Sequence, residues 1–344
     1  NSSKPTAPRM ENGSRMIDLK NKRVTVTGGT GMIGREVVSL LLNEGSLVTV
    51  VSIDEPAGMP EEIEFEQLDL RNFDNCIKTC EKSDIVFHVA GIKGSPKVAK
   101  ESPARFMVPM VQFNTNVLQA AYEADVEWVL YTSSMGVYAP SRVFLEDSVW
   151  DEDNPYPSRN DWFAGWAKRV GELQLEAYRT EGWDRFSIVR PANVYGKYDN
   201  FNPETCMVIP ALINRVMGGE DPLSVWGDGS CIRDFIYARD VARGMIHAVK
   251  NKVNSPMNLA SGTGISIKEL VETIVRASER HPSIDWDISK PSGDAMRVLS
   301  MDHSNSVGFF PETSLEEGIR EVINWYSQNK DFRRYDSFKE NKNG

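Results

Sequence analysis

Arg23-Val24-Thr25-Val26-Thr27-Gly28-Gly29-Thr30-Gly31-Met32-Ile33-Gly34 is the stretch whose reading decides the fold. Its first five residues are short and largely β-branched, the mark of a buried strand. Glycines follow at once. From Ile33 to Leu42 the apolar residues Ile33, Val37, Val38, Leu41 and Leu42 recur at helical spacing. Strand, glycine turn and helix in that order are the setting in which a glycine fingerprint predicts dinucleotide binding. Bare glycine lets the backbone approach a pyrophosphate. The helix N-terminus adds N–H groups and the positive end of its dipole. Two registers fit, Gly29-x-Gly31-x-x-Gly34 and Gly28-x-x-Gly31-x-x-Gly34. The backbone of Gly28, Gly31, Met32, Ile33 and Gly34 is therefore the expected phosphate cradle. An ordinary glycine loop is the plainer alternative, and the flanking strand and helix weigh against it.

The next strand, Leu47-Val48-Thr49-Val50-Val51, is expected to end at the adenosine ribose. An acidic residue there holds the 2′-hydroxyl of NAD. Ser52 stands at the strand end, and Asp54 follows two residues later. Serine leaves room for a 2′-phosphate, whereas Asp54 can bind a ribose hydroxyl or repel that phosphate. NAD and NADP both stay open, and Asp54 also reads as a loop carboxylate before Pro56.

A chain of 344 residues is long enough for one large or two modest domains. The net charge of −10 argues against a general nucleic-acid binder. It does not exclude an anionic small ligand held by local arginines. No apolar run approaches the roughly 20 residues that span a bilayer, so no membrane partner is expected. Residues 1–20 read as a disordered or tag-like tail. Cys76, Cys80, Cys206 and Cys231 form no CxxC pair, and His88, His247, His281 and His303 are scattered. No metal site is expected, Cys76 and Cys80 read as helix packing, and the setting expected is reducing and cytoplasmic.

Strands and helices alternate along the first half. Strands are predicted at Ile63–Gln67, Asp84–Val89, Trp128–Thr132 and Phe186–Arg190, with helices at Val111–Ala124 and Trp162–Thr180. Such alternation predicts an α/β fold, a Rossmann doubly wound parallel sheet. After Pro191 the pattern turns irregular, which predicts a smaller C-terminal substrate-binding lobe. The expected division is 21–195 for the dinucleotide domain, with 234–262 returning to it, and 196–233 plus 263–335 for the lobe.

From about Lys22 to Tyr326 the chain resembles the extended short-chain dehydrogenase/reductase family of nucleotide-sugar epimerases, dehydratases and reductases. The likeness rests on ordered motifs. They are the glycine fingerprint, Asp69-Leu70, His88-Val89-Ala90-Gly91, Ser133-Ser134-Met135-Gly136-Val137-Tyr138, Arg190-Pro191-Ala192-Asn193-Val194-Tyr195-Gly196, Trp226-Gly227-Asp228-Gly229, Arg233-Asp234-Phe235-Ile236-Tyr237 and Asn258-Leu259-Ala260-Ser261-Gly262. The resemblance implies that Asp69 and Leu70 meet the adenine, although Asp69 also reads as a strand-end cap. It implies that Ala90 and Gly91 line the cofactor, and that Pro191 and Asn193 flank the nicotinamide and the sugar. Asn193–Phe201 with Val208–Leu212 looks like the substrate segment of the GDP-fucose synthase-like branch. Val208, Leu212, Arg215, Trp226, Arg233 and Arg297 are the implied nucleotide contacts. Arginine suits a diphosphate because its planar fork gives bidentate, charge-assisted bonds, and three such residues argue against an apolar ketone as substrate.

The family's chemistry uses a tyrosine, a lysine four residues later and a serine or threonine. Lys168 fills the lysine position and Ser134 the serine position. Four residues before Lys168 stands Ala164, whose methyl group cannot titrate. One explanation is an introduced Tyr-to-Ala change; the other is a natural relative that has lost turnover. The first is favoured because the rest of the pattern is intact.

Departures from the pattern narrow the reaction. Sugar 4,6-dehydratases carry an Asp-Glu pair where this chain has Met135 and Gly136. Members that epimerise carbons 3 and 5 carry a cysteine and a histidine where it has Gly136 and Met207, with Cys206 one residue away. What remains is hydride transfer at C4 of a nucleoside-diphosphate hexose, with GDP favoured. Alternatives are an NADPH-dependent 4-keto-sugar reductase and a non-catalytic dinucleotide-binding protein. The helices at Val111–Ala124 and Trp162–Thr180 resemble the pair that forms the family's homodimer.

Overall fold

The computed structural model describes residues 16–92, 100–145, 157–290, 293–330 and 332. Its strands are β1 (Arg23–Thr27), β2 (Leu47–Ser52), β3 (Glu64–Gln67), β4 (Ile85–His88), β5 (Trp128–Thr132), β6 (Val143–Phe144), β7 (Phe186–Pro191), β8 (Asn193–Tyr195), β9 (Leu223–Trp226), β10 (Ile232–Arg233), β11 (Phe235–Tyr237), β12 (Met257–Leu259), β13 (Ile265–Ser266), β14 (Ile284–Asp287) and β15 (Met296–Leu299). Its helices are α1 (Met32–Asn43), α2 (Phe73–Glu81), α3 (Pro103–Glu123), α4 (Trp162–Thr180), α5 (Val208–Met217), α6 (Ala238–Lys250), α7 (Ile267–Ser278), α8 (Asp302–Ser306) and α9 (Leu315–Gln328).

Seven strands form one sheet in the order β3-β2-β1-β4-β5-β7-β12. Every pairing in it is parallel, so the doubly wound reading holds. Both faces are covered, as parallel sheets require. Val24, Val26, Ile85, Phe87 and Leu130 pack with α1 and α6. Val86, Val129 and Tyr131 pack with α2, α3 and α4. Alternate residues of β4 and β5 thus serve opposite cores, which follows from the two-residue period of a strand. Strand order reverses between β1 and β4, where α/β sheets open a crevice at their carboxyl ends.

A second core lies in the C-terminal half. Ile209, Leu212, Ile213 and Val216 of α5, Leu270, Val271 and Ile274 of α7, and Ile319, Val322 and Ile323 of α9 close around Leu223 and Val225 of β9. Small sheets β8-β11, β9-β14 and β13-β10-β15-β6 edge this lobe.

Three expectations change. Ile17 and Leu19 are buried in the main core, and the Ile17 N–H donates to the Lys250 carbonyl at 2.9 Å. Residues 16–20 are therefore part of the fold, and residues 1–15 lie outside the described residues. Helix α3 begins eight residues before the expected Val111. Pro109 lies inside it and reads in sequence as a break, while a proline stands in its first turn, where no N–H is needed. Val143 and Phe144, inside the span expected for the dinucleotide domain, form β6 and pair with β15 in the four-stranded sheet. Cys76 and Cys80 lie buried on α2, and burial pushes both thiols up to about 12.

Candidate functional site

The crevice starts at Gly28. Thr27 pairs opposite His88, so the chain leaves β1 and β4 side by side. Gly28 has φ +67°, and a Cβ there would lie 2.7 Å from the Ala90 Cα. A Cβ on Gly34 would lie 2.3 Å from the Gly28 carbonyl oxygen. Only glycine allows α1 to press so closely on the turn. Gly31 is the N-cap of α1 and offers no capping side chain, so the first-turn N–H groups of Met32, Ile33 and Gly34 face the crevice without a cap acceptor. This cradle fits a pyrophosphate.

The ribose end fits as well. Thr30 and Ser52 share a hydrogen bond of 2.8 Å, and the Thr30 hydroxyl donates to Asp54 Oδ2 at 3.0 Å. Asp54 Oδ1 is buried with no hydrogen-bond partner among the described residues. A buried carboxylate oxygen without a donor is costly, and a ribose hydroxyl is the group that would satisfy it. Asp69 is not a strand-end cap alone: Arg71 forks onto its carboxylate, with Nη2 2.6 Å from Oδ2, and holds it below the usual carboxylate range. Leu70 is buried beneath it.

At the other end, Lys168 is fully enclosed. Its Nζ donates to the Thr132 carbonyl at 2.8 Å and lies 3.8 Å from where a Gly91 Cβ would stand. Burial lowers its pKa to about 8. The placement follows from close packing of α4. A Cβ on Gly165 would meet the Gly136 carbonyl at 2.2 Å, and one on Gly171 the Tyr131 hydroxyl at 2.4 Å. Ser134 follows β5, and its Oγ accepts the Gly136 N–H at 3.1 Å. Ala164 packs partly buried against Phe106 and Met110 of α3.

Behind Lys168 two buried groups hold the helix. His88 bonds Thr27 through Nδ1 at 2.7 Å and Asn114 through Nε2 at 2.9 Å. Asn114 donates onward to the Ala167 carbonyl at 3.3 Å. Burial, with the Lys168 charge nearby, lowers the His88 pKa to about 3, so the ring is neutral. Glu172 accepts two bonds from Arg190, at 2.9 and 2.7 Å, one from Ser133 at 2.5 Å and one from Arg169. Burial opposes its charge, but the two guanidinium groups outweigh it and lower its pKa.

The lobe approaches this crevice through β8. Pro191 ends β7, and the Asn193 side chain donates to the Asp234 carbonyl at 2.8 Å. A Cβ on Gly196 would lie 3.5 Å from Met32, so the β8 loop touches the glycine turn. Val208 opens α5, whose N-cap has no side-chain bond. Leu212 departs from expectation. It is 3% exposed within the lobe core, because it lies one helical turn beyond Val208 on the face packed against α7 and α9. Arg215 pairs with Glu220, with Nε 2.7 Å from Oε2, and also donates to the Ser224 carbonyl. That pair closes the α5–β9 turn. Trp226 is 61% exposed at the end of β9.

Arg233 and Arg297 do meet. They occupy matched positions on parallel strands β10 and β15. Burial, and the Arg297 charge beside it, lower the Arg233 pKa. Two cations held side by side need an anion, and Asp161, before α4, supplies one: Arg297 Nη2 lies 2.5 Å from its Oδ2. The lobe is thereby tied to the helix that carries Ala164 and Lys168.

Residues 24–260 match the profile described as the NAD dependent epimerase/dehydratase family. The chain belongs to that family. Among its relatives is GDP-L-fucose synthase 1 of Arabidopsis thaliana, 29% identical over 328 residues, which span 92% of this chain and 97% of that protein. A GDP-L-fucose synthetase from Naegleria fowleri bound to NADP superimposes with a TM-score of 0.77 at 25% identity, over 94% of this chain and 99% of that one. A UDP-N-acetylglucosamine 4-epimerase from Methanobrevibacter ruminantium M1, in complex with UDP-N-acetylmuramic acid, gives 0.78 at 25% identity, over 90% and 99%.

Three residues of the candidate site carried no prediction from sequence: Thr30, Asn114 and Asp161. Thr30 lies inside the fingerprint, whose signal is its glycines. Asn114, a polar residue on the apolar face of α3, carried a usable signal. Asp161 carried none, since its partner Arg297 is 136 residues away.

Proposed function

We propose that this chain binds NAD or NADP in the β1–α1 crevice and a nucleoside-diphosphate hexose across the lobe, and transfers hydride at C4. The observation that carries this reading is the buried Lys168, placed between the ends of β4 and β5 where a cofactor ribose would lie. Ser134 would position the sugar hydroxyl. Arg233 and Arg297 would take the diphosphate, and the exposed Trp226 indole would stack on the base. A GDP-sugar is favoured by the Arabidopsis relative. Ala164 leaves the site without a phenol, so turnover is impaired at position 164. The cofactor supplies the hydride acceptor or donor; the chain's own residues orient the sugar and hold the ribose.

The division of labour proposed follows the two cores. Residues 21–195 and 234–262 bind the dinucleotide, and 196–233 with 263–335 bind the sugar nucleotide, less the β6 strand that joins the lobe's sheet. The homodimer is proposed through α3 and α4, which pack together and leave Val108, Phe163 and Leu173 exposed. Among the described residues no helix is long and apolar enough to cross a membrane.

A melting panel tests the reading. A ligand of the native state stabilises by about 2.7 kcal/mol at a hundredfold excess over its Kd. GDP-, UDP- and dTDP-hexoses are compared with a steroid ketone, each with NAD and with NADP. A larger rise with the steroid defeats the proposal. Cofactor retained through purification indicates an epimerase cycle, and free exchange indicates a 4-keto-sugar reductase.

A further inference from the structure

Asp161, Ala164 and Lys168 stand at i, i+3 and i+7, so they share one face at the start of α4. Helical side chains lean toward the N-terminus and cover the turn before their own Cα. A long side chain at 164 would therefore lie over the turn that begins at Asp161. The carboxylate is already there. The point where a Gly136 Cβ would stand is 3.5 Å from Ser134 Oγ and 3.6 Å from Asp161 Cγ. The Ser134 hydroxyl and the Asp161 side chain, whose Cβ is 3.4 Å from the same point, thus both border Gly136, where no side chain stands between them.

Asp161 is also diverted from its ordinary task. Aspartate at an N-cap usually accepts a first-turn N–H, yet this one makes no cap bond. Its Oδ2 takes Arg297 and, at 3.4 Å, the Ser158 hydroxyl. Its Oδ1 has no hydrogen-bond partner among the described residues.

We propose that Asp161 accepts and returns the substrate hydroxyl proton in place of the missing phenol, and that Arg297 holds it in reserve until a diphosphate arrives. This rests on the nucleotide-sugar reading above. The diphosphate draws the Arg297 guanidinium toward itself, and the carboxylate beside Ser134 is released. In the oxidative direction the carbinol C–H bond breaks and its electron pair leaves as hydride to the oxidised nicotinamide. The O–H proton passes to the Asp161 carboxylate, and the C=O bond forms. The products are a keto sugar, a reduced nicotinamide and a protonated Asp161; reduction runs the same step backward.

The test is a cycle of Asp161→Asn with Ala164→Tyr, read by single-turnover nicotinamide absorbance and by calorimetric Kd for GDP. On the Ala164 background, Asp161→Asn is expected to lower hydride transfer about tenfold or more and to tighten GDP, because Arg297 no longer leaves a partner. On the Ala164→Tyr background the same change is expected to cost less than about twofold, since the phenol carries the proton. Asp161→Glu is expected to restore part of the lost rate. Equal losses on both backgrounds, or weaker GDP binding, assign Asp161 a structural role and overturn the proposal. Should Asp161→Asn not fold, Asp161→Ser replaces it on both backgrounds: the same unequal loss of hydride transfer is expected, and equal losses overturn the proposal. No hydride transfer in any variant, Ala164→Tyr included, overturns the functional reading and this inference with it.

Discussion

Lys168 donates to the carbonyl of Thr132 at 2.8 Å from a buried position. Burial sets its pKa near 8, below the roughly 10.4 of an unfolded lysine. Between those values the unfolded chain holds more protons than the folded one. Stability of the ligand-free protein should therefore rise with pH from about 8 to 10.4. Cofactor affinity should move the opposite way, because the ammonium that would hold the ribose disappears above pH 8. Lys168→Met should remove both trends. Melting curves and cofactor titrations across pH 7–10 measure them.

Glu172 is buried between Arg190 and Arg169. Removing one partner of a buried ion pair leaves an uncompensated charge. Glu172→Gln should destabilise the fold by about 3–5 kcal/mol. Urea denaturation measures the loss. A change under 1 kcal/mol would show that water satisfies the two guanidinium groups.

Asp54 Oδ1 lacks a donor and lies beside Thr30 and Ser52. A carboxylate there accepts a ribose hydroxyl and repels a 2′-phosphate. NAD should bind at least about tenfold more tightly than NADP, equivalent to roughly 1.4 kcal/mol. Asp54→Asn should narrow or reverse that ratio. Fluorescence titration with both cofactors decides it.

Ala164 packs against Phe106 and Met110, one turn from Lys168. Ala164→Tyr should raise hydride-transfer turnover by about 10²–10⁴, the ordinary contribution of a positioned general acid–base. Stopped-flow absorbance of the reduced nicotinamide on a GDP-hexose is the measurement. No gain on a sugar that binds would remove position 164 from the proton path.

Much of the site was legible in local order. Strand, glycine turn and helix are short-range features, and so are the four-residue step from Ala164 to Lys168 and the position of Ser134 just past β5. Leu212 faces the lobe core, which was not legible because a helix periodicity does not say which face meets a ligand and which meets another helix. The first two turns of α3 were not legible, since Pro109 stands inside the helix and proline ordinarily breaks one.

The linear order of residues determined the parallel sheet, the crevice at its switch point and the absence of a phenol at position 164, because each depends on neighbours within one or two turns of chain. Only the tertiary structure decided where Asp161, Arg233 and Arg297 stand. Those three come from segments far apart, and it is the pairing of β10 with β15, with α4 docked beside them, that sets two like charges together and brings the Asp161 carboxylate to Arg297.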